Sequence, residues 1–481
     1  MPNRARHLVP CVLLAVLAGP VNAQAPVVYH LSYLRPGEPT VTVRIEWPEP
    51  LVAPATFVMP RAIPMGYGNV LYDRYVAELR AFSPEGGALA VRRQEGPRWQ
   101  LGDAGERVRR AEYRVNLARL EREVFSAADA SKIRPGYVGI LGYSVFGYAA
   151  GRRQRPIRLR VRAPADWPVF STLAPRAPPS AGTLEAGAQN FYELADAQLL
   201  LGPDVHVQRL DTQPPLFLVA YAETEIDLQV IGALARDALE RTVAYFGGAP
   251  FPHYTVYLEF LRPVSPQHEY GFSMEHLNSG TFFLGVDRAL TQQTSAKARQ
   301  RTFANFVHHI AHSWIPKRAY GEGYFPFNWE LAPLLDTIWL SEGFVRYATL
   351  KIVGAGRPDS AAYVASTLQQ YRQYVHDSPD FIRRMSLVEL SRVGSTAYST
   401  DFRIGRNLYM RGALLAADLD AYLRQQTHGR ARLRDVLRYL LTWCARHQRG
   451  FRVDEVPAIF HEATGVEVRA ILERGLQPDL K

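Results

Sequence analysis

Hydrophobic and polar residues alternate along the first part of the chain, from Val27 to about Leu210. Residues 40–46 and 157–162 alternate with a period of two, and clusters of Pro or Gly separate such runs. This pattern is typical of an antiparallel β-sandwich, in which one side of each strand faces a core and the other faces water. We therefore expect an N-terminal β-sandwich domain over residues 24–212.

The pattern changes near Pro214 and Pro215. A predicted strand at 216–221 leads into a helical period at 226–246, and another strand is predicted at 254–260. After Thr294 nearly every segment has the helical period, down to the C-terminus. These elements predict an α+β multidomain protein, with a catalytic-type core over residues 213–400 and a helical region over residues 401–481.

The first residues predict an export signal that is not part of the fold. Two arginines and a histidine within residues 4–7 precede an apolar stretch at 8–17, and residues 21–23 supply the small side chains that a signal peptidase needs. Residues 1–23 are therefore expected to be a cleaved signal peptide, and the mature protein to be periplasmic or secreted. The apolar stretch is shorter than the roughly 20 residues that span a bilayer. Since no later segment is apolar enough, no stable membrane insertion is expected.

The cysteine count and the net charge argue against a disulfide-stabilised fold and against a nucleic-acid-binding protein. Cys11 is expected to leave with the signal, so Cys444 remains alone and no intrachain disulfide is expected. The 481 residues carry a formal net charge of +10, and removal of Arg4 and Arg6 lowers it to +8 (10 − 2). The basic excess is nearly all arginine, scattered without runs, which favours a solvated surface over nucleic-acid binding.

The predicted helix at 295–314 carries a pair of histidines. Its apolar residues form one stripe, and His308 and His312 lie on another side among small or polar residues. Two imidazoles one turn apart can aim ring nitrogens at a single ion, which is why this spacing recurs in zinc sites. Taken alone, the pair also fits ordinary surface or core histidines.

A second predicted helix, at 334–350, places a carboxylate on its apolar face. Glu342 falls among residues that share this face: Leu335, Ile338, Trp339, Val345 and Thr349. A buried ionised carboxylate is costly unless a cation or strong donors compensate it. A zinc ion held by His308 and His312 would be such a cation, and an ion pair with Arg346 is the alternative.

Several motifs close together between residues 308 and 344 resemble those of a known family. Residues 308–314 (HHIAHSW), Lys317-Arg318, Pro326-Phe327 and residues 339–344 (WLSEGF) are similar to the glycyl aminopeptidases, number sixty-one of the metallopeptidase families. These are gluzincins, with a thermolysin-like core in which two helix histidines and a downstream glutamate bind zinc. The resemblance implies one zinc ion per chain, bound by His308, His312 and Glu342, and peptides with a free N-terminus as partners.

Two further segments fit the same resemblance. Residues 409–412 (YMRG) are similar to the family's Tyr-x-Lys-Gly, which implies that the Tyr409 hydroxyl stabilises an oxyanion. Residues 271–276 (GFSMEH) are similar to the family's Gly-Gly-x-Glu-His strand, which implies that Glu275 binds the amino group of the substrate. Phe272 and Ser273 replace the paired glycines, so a preference for N-terminal glycine is not expected to carry over. Many members continue with a PDZ domain, which we do not expect here because the sequence ends at Lys481.

The largest departure from the family lies inside the zinc motif. His309 stands where the family has the glutamate that polarises water and shuttles its proton. An imidazole beside Zn²⁺ is a poor base unless a carboxylate supports it, because the ion disfavours the protonated form. Loss of a general base typically lowers the rate by about 10²–10⁴-fold.

The sequence thus leaves three functions open. The first is a zinc aminopeptidase with His309 as an altered base and impaired or altered activity. The second is a catalytically silent, zinc-bearing protein that binds peptides, and the third is a metal-free structural relative.

Overall fold

The computed structural model describes residues 24–478 except 65, 125, 174–179, 267 and 399. The predicted signal peptide and the last three residues therefore lie outside the described residues. Within the described part, no helix combines the length and apolarity needed to cross a bilayer.

Strands dominate the N-terminal part of the described chain, as predicted. In chain order they are β1 (Val27–Ser32), β2 (Thr40–Val52), β3 (Ala55–Val58), β4 (Val76–Phe82), β5 (Ala88–Leu89), β6 (Val91–Arg93), β7 (Arg98–Leu101), β8 (Arg107–Asn116), β9 (Lys132–Arg134), β10 (Tyr137–Leu141), β11 (Tyr148–Ala149), β12 (Ile157–Arg162), β13 (Pro168–Ser171), β14 (Ser180–Ala181), β15 (Thr183–Ala188) and β16 (Gln198–Leu201). Three short helices lie among them: α1 (Leu117–Glu123), α2 (Gly142–Val145) and α3 (Phe191–Asp196).

These strands form three sheets. Their orders are β15-β12-β1-β2-β8-β4-β5, β14-β13-β16-β10-β9 and β11-β3-β7-β6. Along β12 the residues at 157, 159 and 161 are buried and the arginines between them are exposed, so the predicted alternation is confirmed. Pairing is antiparallel with one exception, since β1 and β12 run parallel. A long connection between the two strands allows this, because parallel neighbours cannot be joined by a hairpin.

The second part of the chain contains a mixed five-stranded sheet with helices. Its strands are β17 (His206–Leu210), β18 (Leu216–Ala222), β19 (Tyr254–Leu261), β20 (Gly271–Glu275) and β21 (Ser279–Gly285), in the order β17-β18-β19-β21-β20. Strands β18, β19 and β21 are parallel, and α4 (Leu228–Phe246) connects β18 to β19. Strand β20 forms one edge and pairs antiparallel with β21.

Helices make up most of the remainder. They are α5 (Ala296–Ala311), α6 (Ile338–Ala355), α7 (Ser360–His376), α8 (Asp380–Arg383), α9 (Leu387–Ala397), α10 (Phe402–Gln426), α11 (Leu433–His447), α12 (Val456–Thr464) and α13 (Arg469–Leu476). Helix α5 begins as predicted, because the Ser295 hydroxyl accepts a hydrogen bond from the Ala298 N–H. It ends at Ala311, three residues before the predicted end, and His312 occupies the C-cap position.

The five-stranded sheet separates two hydrophobic cores. Alternate residues of β18 point to opposite faces: Phe217 and Val219 join the core of the N-terminal sheets, whereas Leu216 and Leu218 join the core of the helices. The side-chain period of two in a strand explains this division. The predicted α+β organisation, with a β-rich N-terminal domain and a helical C-terminal region, is confirmed.

A buried ion pair joins the two parts. Lys132 Nζ, on β9, lies 3.3 Å from Glu259 Oε2, on β19, and both side chains are almost fully buried. The Tyr137 hydroxyl donates to Glu259 Oε1, and Lys132 Nζ also lies 3.4 Å from the centre of the Phe283 ring. Burial lowers the pKa of Lys132, while Glu259 opposes that shift.

We expect Lys132→Met to destabilise the folded protein by about 3–5 kcal/mol, because it leaves a buried carboxylate without its cation. Urea denaturation would measure this loss. Arg92→Met is the matched control, since Arg92 and Asp103 form an exposed ion pair that solvent screens. A Lys132→Met protein as stable as Arg92→Met would contradict the structural role of this pair.

Candidate metal centre

Helices α5 and α6 bring together the three predicted metal ligands. His308 lies in the last turn of α5, His312 lies at its C-cap, and Glu342 lies in α6. The His308 and His312 Nε2 atoms are 3.0 Å apart, and Glu342 Oε2 lies 3.6 Å from the first and 3.4 Å from the second. All three side chains are buried. They form a three-residue group that could hold a metal ion, as the sequence predicted.

Two glycines allow the helices around this group to approach closely. A Cβ atom on Gly343 would clash with the backbone of Gly412, and one on Gly412 would clash with the carbonyl oxygen of Trp339. Helices α6 and α10 therefore touch backbone to backbone. Gly343 directly follows Glu342 on α6, and Gly412 lies three residues after Tyr409 on α10. The close contact between these two helices therefore lies next to both predicted site residues.

The donor set fits zinc. His312 Nδ1 lies 2.8 Å from the carbonyl oxygen of Ile315 and must donate to it, so its Nε2 is free to bind a metal. Zinc bonds of about 2.0–2.1 Å in a tetrahedral site give separations of about 3.3–3.4 Å between ligand atoms. The observed separations of 3.0, 3.4 and 3.6 Å span that value. Glu342 Oε2 is buried without a hydrogen bond from any described residue, as expected of an atom that faces a cation.

Electrostatics also favour positive charge in this cluster. Burial and the neighbouring His312 lower the pKa of His308 to about 3. Burial acts in the same direction on His312, but Glu275 and Glu342 outweigh it and raise its pKa to about 9. Burial opposes ionisation of Glu342, yet His312 and His308 lower its pKa to about 2. Glu342 thus stays ionised and attracts a cation toward the two histidines.

Arg346, the alternative partner of Glu342, points elsewhere. Its Nε atom donates to the Tyr371 hydroxyl at 2.8 Å, and Tyr67 donates to Glu342 Oε1 at 2.9 Å. Sequence reasoning missed Tyr67 entirely. It lies 275 positions before Glu342, in the N-terminal domain, and no local pattern marks it.

The third histidine of the motif faces a carboxylate. His309 Nδ1 lies 3.5 Å from Glu275 Oε2, and both side chains are buried. This is an ion-pair distance, although it is too long for a good hydrogen bond. Burial lowers the pKa of His309, and Glu275 counteracts that shift. The supporting carboxylate that a histidine base requires is therefore in place, and it is the residue predicted to bind the substrate amino group.

Strand β20 is aligned with helix α5 along this contact. Ser273 and Glu275, two positions apart on the strand, face Asn305 and His309, four positions apart on the helix. Asn305 Nδ2 donates to Ser273 Oγ at 3.0 Å. Ser273 therefore holds the edge strand to the helix that carries two of the predicted metal ligands.

Tyr409 also lies beside the predicted metal ligand His308. Its ring centre is 5.6 Å from that of His308 and 5.9 Å from that of Tyr398. Its predicted role in stabilising an oxyanion stays a prediction. The neighbouring Arg411 points away and donates to the carbonyl oxygens of Met385 and Gln477.

Solved structures show where this fold occurs. An aminopeptidase N family protein from Idiomarina loihiensis matches with a TM-score of 0.82 and 20% identity, over 95% of this chain and 76% of that chain. An M1 zinc metallopeptidase from Deinococcus radiodurans matches with a TM-score of 0.56 and 16% identity, over 95% and 94%. A mutant of that enzyme bound to a Tyr-Ser-Ala substrate matches with a TM-score of 0.56 and 15% identity, over 94% and 93%. A search of curated proteins gives no significant match.

This fold is similar to that of solved zinc metallopeptidases, and the described residues include a buried His-His-Glu cluster that could hold a metal ion. Residues 28–203 match the family model of the Peptidase M61 N-terminal domain. The predicted resemblance to the glycyl aminopeptidase family, metallopeptidase family sixty-one, is thus confirmed.

Proposed function

We propose that this protein is a zinc aminopeptidase in which His309, supported by Glu275, replaces the usual glutamate base. The observation that carries the proposal is the 3.5 Å contact between His309 Nδ1 and Glu275 Oε2. A neutral imidazole becomes a more effective base when a carboxylate orients it and stabilises the cation that forms. Contacts of this kind are often long in the free enzyme and shorten when substrate binds.

Different residues of the chain have different roles in the proposed reaction. Zinc bound by His308, His312 and Glu342 would supply Lewis-acid polarisation of the peptide carbonyl and a lowered pKa for the attacking water. His309 accepts a proton from that water through Nε2, the ring nitrogen turned away from Glu275. The same nitrogen then returns the proton to the leaving amine. Tyr409 donates a hydrogen bond to the oxyanion that forms between the two steps.

Glu275 would serve two groups in this scheme. Its Oε2 faces His309, which leaves Oε1 for the ammonium group of a substrate. Peptides with a free N-terminus are therefore the proposed substrates, and the relative from D. radiodurans bound to a Tyr-Ser-Ala substrate supports this class. The proposed location is the periplasm or the outside of the cell, because the N-terminal residues have the pattern of an export signal.

Metal analysis and an aminopeptidase assay on the same sample of the mature protein test the proposal. We expect about one zinc ion per chain and hydrolysis of peptide analogues across a panel of N-terminal residues. A chelator should abolish the activity, and added zinc should restore it, since both the carbonyl polarisation and the activated water depend on the ion. Zinc without hydrolysis would instead support the silent peptide binder, and no zinc would support the metal-free relative.

A further inference from the structure

The two oxygens of the Glu342 carboxylate have different surroundings. Oε2 faces the imidazoles of His308 and His312 at 3.6 and 3.4 Å. Oε1 accepts a hydrogen bond of 2.9 Å from the hydroxyl of Tyr67. Tyr67 lies between β3 and β4, in the N-terminal domain, whereas the three metal ligands lie on helices of the core.

The segment that carries Tyr67, residues 59–64 and 66–70, is held by hydrogen bonds on both sides of this tyrosine. Before it, the N–H groups of Arg61 and Ala62 donate to the carbonyl oxygen of Trp329 at 2.7 and 3.1 Å. After it, Asn69 Oδ1 accepts from the N–H of Ala332 at 2.7 Å. These contacts all reach the loop between α5 and α6, which connects the two ligand-bearing helices.

Two more contacts limit the movement of the segment and of the ring. The buried Lys317 Nζ donates to the carbonyl oxygen of Pro64 at 2.8 Å, and it also lies 3.2 Å from Asp196. The Tyr67 ring packs against Tyr398, with ring centres 5.1 Å apart. The hydroxyl is thus held at Glu342 Oε1 by both backbone and ring contacts.

We infer that Tyr67 is a positioning residue through which the N-terminal domain completes the metal centre. The inference rests on the proposed zinc site. The last torsion of a glutamate side chain has broad preferences, so an unrestrained carboxylate can rotate its oxygens. With Oε1 held by Tyr67, Oε2 faces the two imidazoles and would be the oxygen that binds the ion. Groups that orient a metal ligand in this way typically contribute about 10–100-fold to metal affinity.

Two neighbouring hydroxyls provide a comparison. Tyr324 Oη and Ser341 Oγ lie 3.3 and 3.4 Å from the Tyr67 hydroxyl oxygen. These two hydroxyls contact Tyr67 and each other, whereas Glu342 Oε1 receives its hydrogen bond from Tyr67. Tyr324→Phe is therefore a matched control, since it removes a buried tyrosine hydroxyl in the same cluster without removing the donor to the carboxylate.

The experiment measures zinc affinity of the full mature chain by competition with a chelator of known affinity. We expect Tyr67→Phe to bind zinc about 10–100-fold more weakly than the wild type, and Tyr324→Phe to stay within about 3-fold. Asn69→Ala should give an intermediate loss, because it loosens the segment and keeps the hydroxyl. The absorption spectrum of the cobalt-loaded protein should also change in Tyr67→Phe, because the spectrum reports the ligand geometry directly.

The outcomes distinguish a failure of the positioning role of Tyr67 from a failure of the proposed function. Equal zinc affinities for wild type and Tyr67→Phe would overturn the positioning role and leave the proposed function intact. An equal loss in Tyr324→Phe would overturn the assignment to the Tyr67 hydroxyl. A wild type without zinc would overturn the proposed function, and the inference with it. If Tyr67→Phe folds poorly by circular dichroism, the Asn69→Ala protein decides: an unchanged affinity there overturns the inference.

Discussion

His312→Ala is expected to lower the zinc affinity of this protein by roughly 10³-fold or more. Residues that only orient a ligand already contribute about 10–100-fold, and His312 would bind the ion itself. Its Nε2 lies 3.4 Å from Glu342 Oε2, and its Nδ1 faces the Ile315 carbonyl oxygen, which fixes the metal-binding tautomer. Zinc content after loading and dialysis would measure the loss.

The same substitution should also destabilise the metal-free protein. His312, with a pKa raised to about 9, is the cation that faces Glu275 and Glu342 in the absence of metal. Its removal leaves buried carboxylates uncompensated, which costs about 3–5 kcal/mol of unfolding free energy. His461→Ala, at an exposed position on α12, is the control and should change neither quantity. A His312→Ala protein that keeps its zinc would show that the ligand assignment is wrong.

His309→Ala should reduce the rate of peptide hydrolysis by about 10²–10⁴-fold with zinc still bound, because it removes the proposed base. Residue 309 points about 100° away from His308 around the helix, so the metal ligands should be undisturbed. The assay should be run above the pKa of about 6.5 of free imidazole, where the base starts neutral. Metal content must be measured on the same samples.

His309→Glu distinguishes the two leading functions. It restores the family's residue, but in the proposed mechanism His309 with Glu275 already supplies the base. We therefore expect the variant to be no faster than the wild type. A rise of 10²-fold or more would mean that His309 is not a working base, and the silent peptide binder would then be favoured. Glu275→Gln adds a separate readout, since loss of support for His309 lowers kcat whereas loss of the ammonium contact raises KM.

The sequence by itself determined the features that depend on short-range periodicity. Strand β12 coincides with the predicted residues 157–162, and the strand predicted at 216–221 is one residue longer in the structure. The His308 and His312 pair was recognisable because a helix places residues four positions apart on one side. Glu342 was recognisable because a charged residue interrupted an apolar face. Each of these signals lies within a single helix or strand.

Only the tertiary structure decided what surrounds those ligands. The Tyr67 hydrogen bond to Glu342 joins residues 275 positions apart, and the contact between Glu275 and His309 joins an edge strand to a helix. The ion pair of Lys132 and Glu259 likewise joins strands of two different sheets. A single polar residue that meets its partner across an interface leaves no periodic trace in the chain. Such contacts are set by how the sheets and helices pack, and that packing alone brought a carboxylate to His309 and a hydroxyl to Glu342.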